Sequence, residues 1–371
     1  MRIGIDTLFV LPGINEGIVT YFRNLLKNLL EIDKQNEYIL FVSQENRGLF
    51  MFDKDRIQEV LCPIKGSLKL LRVFWEQLIL PFQIKQYNLD LFFSPGHTFS
   101  VFCSPPIVMT IHDTYYTYYP ENVPKIELFI WHILMGFSVR KANKIITVSE
   151  SAKRDILEAF KTEEEKVSVI YEAVEECFHP YYNKDEIERV KQKYGLKKYL
   201  LSVAIMRSNK NIARLLEAFN ILKTQYQIEH QLVLVGTVRQ PFKDLKQKDV
   251  ILTGYVPQDE LPLLYCGASL FVYPSFFEGF GLPALESMAC GCPVAAANAT
   301  SLPEVIGEAG VLFNPFATKE MVETVYRILN NEEMRKELVK KGLERVKKFS
   351  WQQTAIKTLS IFKEVSEGKK Q

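Results

Sequence analysis

Ten short apolar segments that recur between helix-like patterns constrain the fold of this chain more than any other feature of its sequence. The first half contains RIGIDTLF, YILFV, DLFFS, PIVMTIH and KIITVS, and the second half contains YLLSVAI, QLVLVG, DVILTG, SLFVYP and CPVAAAN. Strands that alternate with helices form parallel sheets, because each parallel connection needs a crossover segment. Two sets of five strands therefore predict an α/β fold with two Rossmann-like, doubly wound domains.

The chain length and a charged segment near its middle divide these strands into two domains. A length of 371 residues is enough for two hydrophobic cores. The helix-prone segment NKDEIERVKQKYGLKK, residues 183–198, separates the two sets of strands. We place the first domain at residues 1–183 and the second at residues 184–350, followed by a helix-like tail at residues 351–371.

The composition argues against several classes of protein. A net charge of +2 is too balanced for a nucleic-acid-binding protein. The cysteines lack metal-site or C-x-x-C spacing, which predicts free thiols in a reducing compartment. The start MRIGIDTLFV resembles a strand rather than a secretion signal, and the longest uncharged stretch is broken by Pro262, Gly267 and Pro274. We therefore expect a cytoplasmic protein without a membrane span.

The segment FFEGFGLPALE, residues 276–286, is the strongest candidate for a ligand site. It follows the apolar run SLFVYP, and Pro283 suits the first turn of a helix. A helix N-terminus attracts phosphate, and Gly279 and Gly281 would let a ligand approach the backbone. Glu286, predicted in the first turn of the helix, could accept hydrogen bonds from the two hydroxyls of a ribose. A nucleotide would satisfy both features.

Two other interpretations of this segment stay open. It could be a capped helix on a tight turn without any ligand. GFGLPA also fits the dinucleotide fingerprint G-x-G-x-x-A, and Glu304 follows about 20 residues later, where the fingerprint needs an acid. The fingerprint belongs at the tip of a first strand, whereas this segment comes late in the chain.

Two further strand ends lie in the first domain. Gly13 and Gly17, in VLPGINEGIVTYFRNLL, lead into a helix, so glycine turns from both domains could hold one large ligand. VMTIHD delivers His112 outward at the end of a buried run, and Asp113 beside it can perturb its protonation. A structural histidine is the alternative, and His97 in SPGHT is a weaker candidate.

Two cations follow the first strand of the second domain. In VAIMRSNKNIARLLEAF, Arg207 and Lys210 precede an amphipathic helix. They could neutralise a diphosphate, Lys210 as a point charge and Arg207 through two parallel hydrogen bonds. A solvated loop is the alternative.

Together, these motifs resemble the retaining nucleotide-sugar glycosyltransferases of glycosyltransferase family 4, which have the two-domain GT-B fold. The similarity covers nearly the entire chain and includes WEQLILP, TIHD, ITVSESAKRDI, NKNIARLLEAF, FEGFGLPALESMACGCPVAAA, SLPEVIGEAG and FSW, in this order. The resemblance implies that Glu286 holds the nucleotide ribose and that Glu278 and His112 contact the donor sugar. The other residues of the implied donor site are Gly13, Gly17, Arg207, Lys210, Gly279, Phe280, Gly281, Leu282 and Pro283.

The chain departs from the family pattern beside the lysine. Many relatives carry an arginine five residues before it, where this chain has Ile205, and others carry one immediately before it, where this chain has Asn209. Arg207 could substitute from a shifted position, or Lys210 could act alone.

The implied reaction moves a sugar from a nucleoside diphosphate to an acceptor hydroxyl with retention at the anomeric carbon. The leaving diphosphate is anionic, so catalysis needs positive charge directed at it, which Lys210, Arg207 and the helix at Pro283 would supply. His112, Glu278 and Lys210 are the predicted catalytic residues. Because no D-x-D-like acidic pair stands at a strand end, we expect no metal, no other cofactor and full activity in EDTA.

The donor and the reaction class leave alternatives. The TIHD and WEQLILP context resembles mannosyl- and rhamnosyl-transferring enzymes of surface polysaccharide assembly, so GDP-mannose is the first expectation and a UDP-sugar the second. Glu278 and Glu286 could instead be the carboxylate pair of a retaining glycosidase, although a phosphate-binding turn fits donor binding better. A NAD-dependent oxidoreductase and a non-catalytic sugar-nucleotide-binding protein are the remaining alternatives.

The acceptor, a glycan or a lipid-linked molecule, is expected on the first domain, where residues 65–87 form a basic and apolar segment. KGSLKLLRVFWEQLILPFQIKQY carries Lys65, Lys69, Arg72 and Lys85 among leucines and aromatic residues. Such a helix could contact anionic lipid at a membrane surface, and an ordinary amphipathic helix on the sheet is the alternative. In similar proteins the tail crosses back to the first domain, which we also expect for residues 351–371.

Overall fold

The computed structural model describes residues 1–203, 207–236 and 247–368, which form two compact units. The first unit contains Met1–Glu172 and Ser350–Gln371, and the second contains Ala173–Phe349. The boundary predicted at residue 183 therefore moves to residue 172. The reason is that residues 173–183 pack within the second unit, where the ring centroids of Phe178 and Tyr265 lie 6.0 Å apart.

A parallel sheet forms the centre of the first unit. Its strands are β1 (Arg2–Asp6), β2 (Glu37–Val42), β3 (Ile57–Leu61), β4 (Leu91–Ser94), β5 (Ile107–Ile111), β6 (Lys144–Thr147) and β7 (Val167–Val169). Within the described residues these seven strands have the order β3-β2-β1-β4-β5-β6-β7. The crossover helices are α1 (Glu16–Ile32), α2 (Lys69–Leu78), α3 (Leu80–Lys85), α4 (Tyr115–Tyr118), α5 (Lys125–Lys141) and α6 (Glu150–Phe160).

The second unit repeats this architecture. Its strands are β8 (Tyr199–Val203), β9 (Gln231–Val235), β10 (Val250–Gly254), β11 (Leu270–Tyr273), β12 (Val294–Ala297) and β13 (Val311–Phe313). In the described part of this unit the six strands have the order β10-β9-β8-β11-β12-β13, and neighbours run parallel. The helices are α7 (Lys184–Lys193), α8 (Ile212–Thr224), α9 (Leu261–Gly267), α10 (Leu282–Ala289), α11 (Leu302–Ile306), α12 (Thr318–Leu329) and α13 (Glu332–Val346).

The predicted fold class, two doubly wound α/β domains, is confirmed, and all ten predicted strands exist. The continuation of the strand YLLSVAI to Ile205 lies outside the described residues. The prediction missed β3, β7 and β13, each of which lies at an edge of its sheet. An edge strand is partly exposed and therefore needs fewer apolar residues. RIQEVL and VSV accordingly lack the continuous apolar run of a strand that is buried on both faces.

The tail forms a helix that packs within the first unit. This helix, α14 (Trp351–Glu367), begins after Ser350, whose hydroxyl caps it. The ring centroid of Phe362 lies 5.1 Å from that of Phe93 on β4, and Thr354 Oγ1 donates a 2.7 Å hydrogen bond to the carbonyl oxygen of Tyr171. The chain therefore leaves the first unit after residue 172 and returns to it at residue 350.

Candidate active site

The second unit has a topological switch point between β8 and β11. These strands are neighbours in the sheet, but the chain continues from β8 towards one edge and from β11 towards the other. In open parallel sheets, a crevice forms at the carboxyl ends of such a pair, and ligands bind there. The turn that holds Lys210 precedes α8 on the β8 side, and the glycine turn at residues 274–281 follows β11.

Two asparagines flank Lys210 and join these two turns. The side-chain amide of Asn209 donates a 3.0 Å hydrogen bond to the backbone carbonyl oxygen of Phe277. The backbone carbonyl oxygen of Asn209 accepts a 2.7 Å hydrogen bond from the backbone amide of Phe276. Asn211, with φ +55°, donates to the carbonyl oxygens of Pro274 at 3.1 Å and Pro315 at 2.8 Å. Lys210 is therefore held at a defined position against the glycine turn. The sequence analysis assigned no role to these asparagines, although their positions on either side of Lys210, in N-K-N, were the available signal.

The predicted cation and one of the predicted acids meet in an ion pair. Lys210 Nζ lies 2.6 Å from Glu278 Oε1, and their side chains are 17% and 12% exposed. Lys210 Nζ also lies 5.7 Å from the centroid of the Tyr273 ring. Burial, with the charge and hydrogen bond of Glu278, raises the pKa of Tyr273 well above its ordinary value, so this phenol stays neutral. Arg207, the other predicted cation, has an exposed side chain at the start of the same turn.

Residues 300–302 support the glycine turn from behind. The amide of Glu278 donates to Thr300 Oγ1 at 3.0 Å, and Ser301 Oγ donates to the carbonyl oxygens of Glu278 at 2.9 Å and Phe280 at 2.7 Å. Gly281 has φ +111°, and a Cβ on it would lie 2.7 Å from Leu302 Cδ2. A side chain at this position is therefore excluded both by conformation and by space.

The other residues of this turn lie where α10 begins. Leu282 and Pro283 form the first helical positions and are partly exposed. Phe280 is buried, and its ring centroid lies 5.7 Å from that of Phe349, so it packs inward rather than lining the crevice. Gly279 is partly exposed between Glu278 and Phe280.

Glu286 lies just beyond the first turn of α10, whereas it was predicted to lie within that turn. The helix begins at Leu282, so Glu286 is its fifth residue and not part of the first turn. Its Oε2 accepts a 3.0 Å hydrogen bond from the hydroxyl of Tyr265. Loss of water contact raises the pKa of Glu286 to about 7, the Tyr265 hydroxyl opposes this rise, and the charge of Glu175 adds to it. Because the helix terminus is a turn away, no strong dipole effect keeps this carboxylate ionised.

The two predicted glycines of the first unit occupy different environments. Gly13 has φ +78° and precedes α1, and its amide donates to the carboxylate of Glu16. Gly17 lies inside the first turn of α1 rather than in the preceding loop. Both are exposed, and a Cβ on either would have no neighbour within 4 Å. Packing therefore does not require glycine at either position.

His112, immediately after β5, is held by two acceptors. Its Nδ1 lies 3.1 Å from Glu172 Oε1, and its Nε2 lies 3.0 Å from the carbonyl oxygen of Pro95. Burial alone would lower the pKa of His112, but the hydrogen bond and charge of Glu172, with the Pro95 carbonyl, raise it above its ordinary value. Both partners accept hydrogen bonds, so this arrangement favours the protonated ring, which can donate from both nitrogens. To contact a sugar, His112 would have to replace one of these two hydrogen bonds with a hydrogen bond to the sugar.

His97, the weaker candidate, has a pKa shifted in the opposite direction from that of His112. Its ring centroid lies 6.0 Å from that of His112, and burial lowers the pKa of His97 to about 4. The first unit therefore places, at the carboxyl ends of β4 and β5, two histidines whose pKa values are shifted in opposite directions.

Comparison with known proteins identifies the family. A model of the group 1 glycosyl transferases matches residues 183–345, and a model of Glycosyltransferase Family 4 matches residues 15–176. The O-antigen chain mannosyltransferase B of Escherichia coli is 32% identical over 268 residues, which are 69% of this chain and 70% of that protein. The chain belongs to the group 1 glycosyltransferases, and its two parallel sheets with flanking helices form the GT-B fold.

Two further relatives extend the comparison. A serotype-specific mannosyltransferase of E. coli, WbdA, is 34% identical over 227 residues, which are 58% of this chain but 28% of that protein. The chain thus spans less than a third of that relative. The Anabaena protein HepE, crystallised with UDP and glucose, superposes with a TM-score of 0.74 at 16% identity, covering 98% of this chain and all of that chain (100%).

The alternatives from the sequence can be compared with this geometry. The GFGLPA segment follows β11, the fourth strand in chain order among the described residues of its unit, so it lacks the first-strand context of a dinucleotide fingerprint. Within the described residues no group of three histidine, cysteine or acidic side chains is arranged to hold a metal ion. Metal independence and the individual roles of the site residues stay predictions.

Proposed function

We propose that this glycosyltransferase moves a hexose from a nucleoside-diphosphate sugar to a hydroxyl of a glycan or lipid-linked acceptor, with retention at the anomeric carbon and without a metal. GDP-mannose is the preferred donor and a UDP-sugar the second candidate. The mannosyltransferase names of the relatives support mannose and a role in surface polysaccharide assembly. The UDP and glucose bound to HepE support a nucleotide-sugar donor. The reaction would take place on the cytoplasmic side of the membrane.

The observation that carries this proposal is the Lys210–Glu278 pair at the switch point of the second unit. When the C1–O bond of the donor breaks, its electron pair goes to the diphosphate, so a cation close to that oxygen stabilises the transition state. Lys210 is held by its neighbours on a low-exposure surface, where a charge acts more strongly than in water. The donor diphosphate would replace Glu278 as the ion-pair partner of Lys210. The Glu278 carboxylate could then accept hydrogen bonds from the sugar hydroxyls.

Glu286 would select the nucleotide half of the donor. An ionised carboxylate offers two oxygens to the 2′ and 3′ hydroxyls of a ribose, and Tyr265 holds this carboxylate in place from the protein side. The helix start at residues 282–283 would lie near the phosphates, as phosphate sites at helix N-termini do.

Calorimetric titration with GDP-, UDP-, dTDP- and ADP-sugars, in EDTA, tests the donor site. We expect micromolar binding of one base by the wild type and at least tenfold weaker binding by Glu286→Ala. Glu308→Ala is the matched control, because Glu308 is an exposed glutamate of the same unit and should bind as the wild type does. If NAD bound and none of the sugar nucleotides did, the oxidoreductase would replace the transferase.

Turnover tests the chemical half of the proposal. We expect the bound donor to be consumed slowly by water and faster with a suitable acceptor, and proton NMR of the first-formed product to show the donor's anomeric configuration. Inversion in that spectrum would contradict retention. If the donor bound tightly but was not consumed with any acceptor tested, the result would instead favour a non-catalytic sugar-nucleotide-binding protein.

A further inference from the structure

Two cysteines of the second unit meet where the ends of α9 and α10 come together. Cys266 lies in the last turn of α9, and Cys290 directly follows the last residue of α10. The Sγ atom of Cys266 lies 3.5 Å from the backbone carbonyl oxygen of Cys290 and 3.4 Å from that of His179. The two thiols are also hydrogen-bonded to each other. A disulfide between two side chains in direct contact needs little movement of the backbone.

The two thiols differ in exposure and in acidity. Cys266 is partly exposed, whereas Cys290 is buried. The hydrogen bond with Cys290 lowers the pKa of Cys266 below its ordinary value, although burial opposes this shift. The same hydrogen bond, together with burial, raises the pKa of Cys290 well above its ordinary value. Because the thiolate is the form that oxidants attack, Cys266 would react first and Cys290 would be the second, resolving thiol.

Two other cysteines of the same unit lack this combination. Burial raises the pKa of Cys177 to about 11 and that of Cys292 to about 12. The Sγ atom of Cys292 lies 3.8 Å from the carbonyl oxygen of Ala268 and 3.6 Å from that of Pro293. Both thiols therefore stay protonated at neutral pH and react slowly with oxidants.

The cysteine pair adjoins the two residues that hold Glu286. Tyr265, directly before Cys266, donates a 3.0 Å hydrogen bond to the Glu286 carboxylate. The backbone amide of Cys290 donates to the backbone carbonyl oxygen of Glu286, also at 3.0 Å. The sulfur atoms of a disulfide lie about 2 Å apart, closer than two thiols that share a hydrogen bond. A disulfide would therefore draw the ends of α9 and α10 together and displace Tyr265 relative to Glu286.

We propose that Cys266 and Cys290 form a reversible disulfide when the protein meets hydrogen peroxide, and that this disulfide weakens nucleotide-sugar binding at Glu286. The effect on binding rests on the proposed function, whereas the disulfide itself does not. In a reducing compartment such a disulfide would form transiently, as in proteins that respond to oxidants.

The oxidation takes place in two balanced steps. First, the Cys266 thiolate attacks one oxygen of hydrogen peroxide, the O–O bond breaks, and the departing hydroxide takes up the proton that Cys266 released. Next, the Cys290 sulfur attacks the resulting S–OH group, the S–S bond forms, and the S–O bond breaks as hydroxide leaves with the Cys290 proton. The two thiols lose two electrons in total, and the peroxide is reduced to two water molecules. A dithiol reverses the reaction by thiol–disulfide exchange.

Mass spectrometry of the full-length chain, without any nucleotide, tests the disulfide. After treatment with hydrogen peroxide, alkylation of the remaining thiols and proteolysis, we expect a Cys266–Cys290 cross-linked peptide that dithiothreitol separates. Cys266→Ser and Cys290→Ser should each abolish this cross-link. Cys177→Ser is the matched control and should keep it, because Cys177 is also a partly exposed cysteine of the second unit. Absence of the cross-link in the wild type, or a Cys177–Cys266 cross-link in its place, would overturn the proposal.

Calorimetry with the sugar nucleotide that the reduced wild type binds tests the effect on the site. Binding to the oxidised wild type should be about tenfold weaker, as expected when about one hydrogen bond is disturbed, and dithiothreitol should restore it. Cys266→Ser should bind as the reduced wild type does, both before and after peroxide. Unchanged binding by the cross-linked protein would overturn the effect on the site. If the reduced protein bound no sugar nucleotide, the proposed function would fail, whereas the cross-link would still decide the disulfide.

Discussion

At the scale of single residues, the protonation of Glu286 decides how the candidate donor site depends on pH. The ribose hydroxyls can both donate to Glu286 only when it is ionised, and without ligand the pKa of Glu286 is about 7. Two hydroxyl donors would favour the ionised form and lower that pKa. Binding and deprotonation are therefore coupled.

The pH dependence of donor binding follows from this coupling. Between pH 8 and pH 6 the dissociation constant should rise about tenfold, because below pH 7 each unit of pH costs close to a factor of ten in the ionised fraction. Calorimetry at pH 6, 7 and 8 measures this rise. Glu286→Gln should bind weakly but with little pH dependence, and an equally steep dependence in that variant would assign the effect to another group.

The same residue affects the stability of the ligand-free protein. The pKa of Glu286 is raised on folding, so its contribution to stability is fully present below its ordinary pKa of 4.5 and is lost as pH rises through about 7. Glu286→Gln should therefore raise the melting temperature at pH 8 and change it little at pH 5. Differential scanning calorimetry at both values checks the sign, and a destabilised variant at pH 8 would contradict it.

Asn209 provides a test of the position of Lys210. Asn209→Ala removes one buried hydrogen bond to the glycine turn and should lower the free energy of unfolding by about 1–3 kcal/mol. Donor affinity should fall about tenfold or more, although Asn209 need not contact the donor, because Lys210 loses its fixed position. Urea unfolding and calorimetry measure the two effects. Asn220→Ala, an exposed asparagine on α8, is the control and should change neither.

At the scale of elements, the glycine turns of the two units should respond differently to alanine. Gly281→Ala introduces a Cβ at φ +111° and 2.7 Å from Leu302, so it should cost about 1–3 kcal/mol of stability and disturb the start of α10. Gly17→Ala lies in an exposed helical position with open space around it, and should stabilise the protein by about 0.5–1 kcal/mol. Chemical denaturation compares the two variants.

The activity of Gly17→Ala then separates two explanations of that glycine. If the residue permits a ligand to approach the backbone, donor consumption should fall although stability rises. If consumption is unchanged, the predicted donor-site role of Gly17 is wrong.

At the scale of the whole molecule, α14 makes the stability of the first unit depend on the last segment of the chain. Trp351 and Phe362 are largely buried within the first unit, with ring contacts to Tyr21 and Phe93. Deletion after Ser350 should remove more than about 5 kcal/mol of hydrophobic stabilisation, estimated from several large buried side chains. Thermal unfolding should show the first unit melting earlier, and an unchanged melting profile would contradict this.

The sequence by itself determined the class of fold, the central strands and the identity of the candidate site residues. Strands buried on both faces must be continuously apolar, so their positions are visible without a structure. The glycine turn at Gly281 could be predicted for a similar reason. A residue with a left-handed backbone directly before a helix is usually glycine, so the sequence marks that position. These constraints act on residues that are neighbours in the chain, so a short sequence pattern is enough to identify them.

Tertiary structure decided what depends on distant neighbours. The Lys210–Glu278 pair joins residues 68 positions apart. The hydrogen bonds from Asn209 and Asn211 to the glycine turn form because β8 and β11 are adjacent in the sheet. The upward shift in the pKa of His112 depends on Glu172, 60 residues away. The burial of Arg72 and Glu76 on α2 depends on which face of that helix the rest of the first unit covers. Amphipathic periodicity shows that a helix has two faces, but only packing determines which of them meets water.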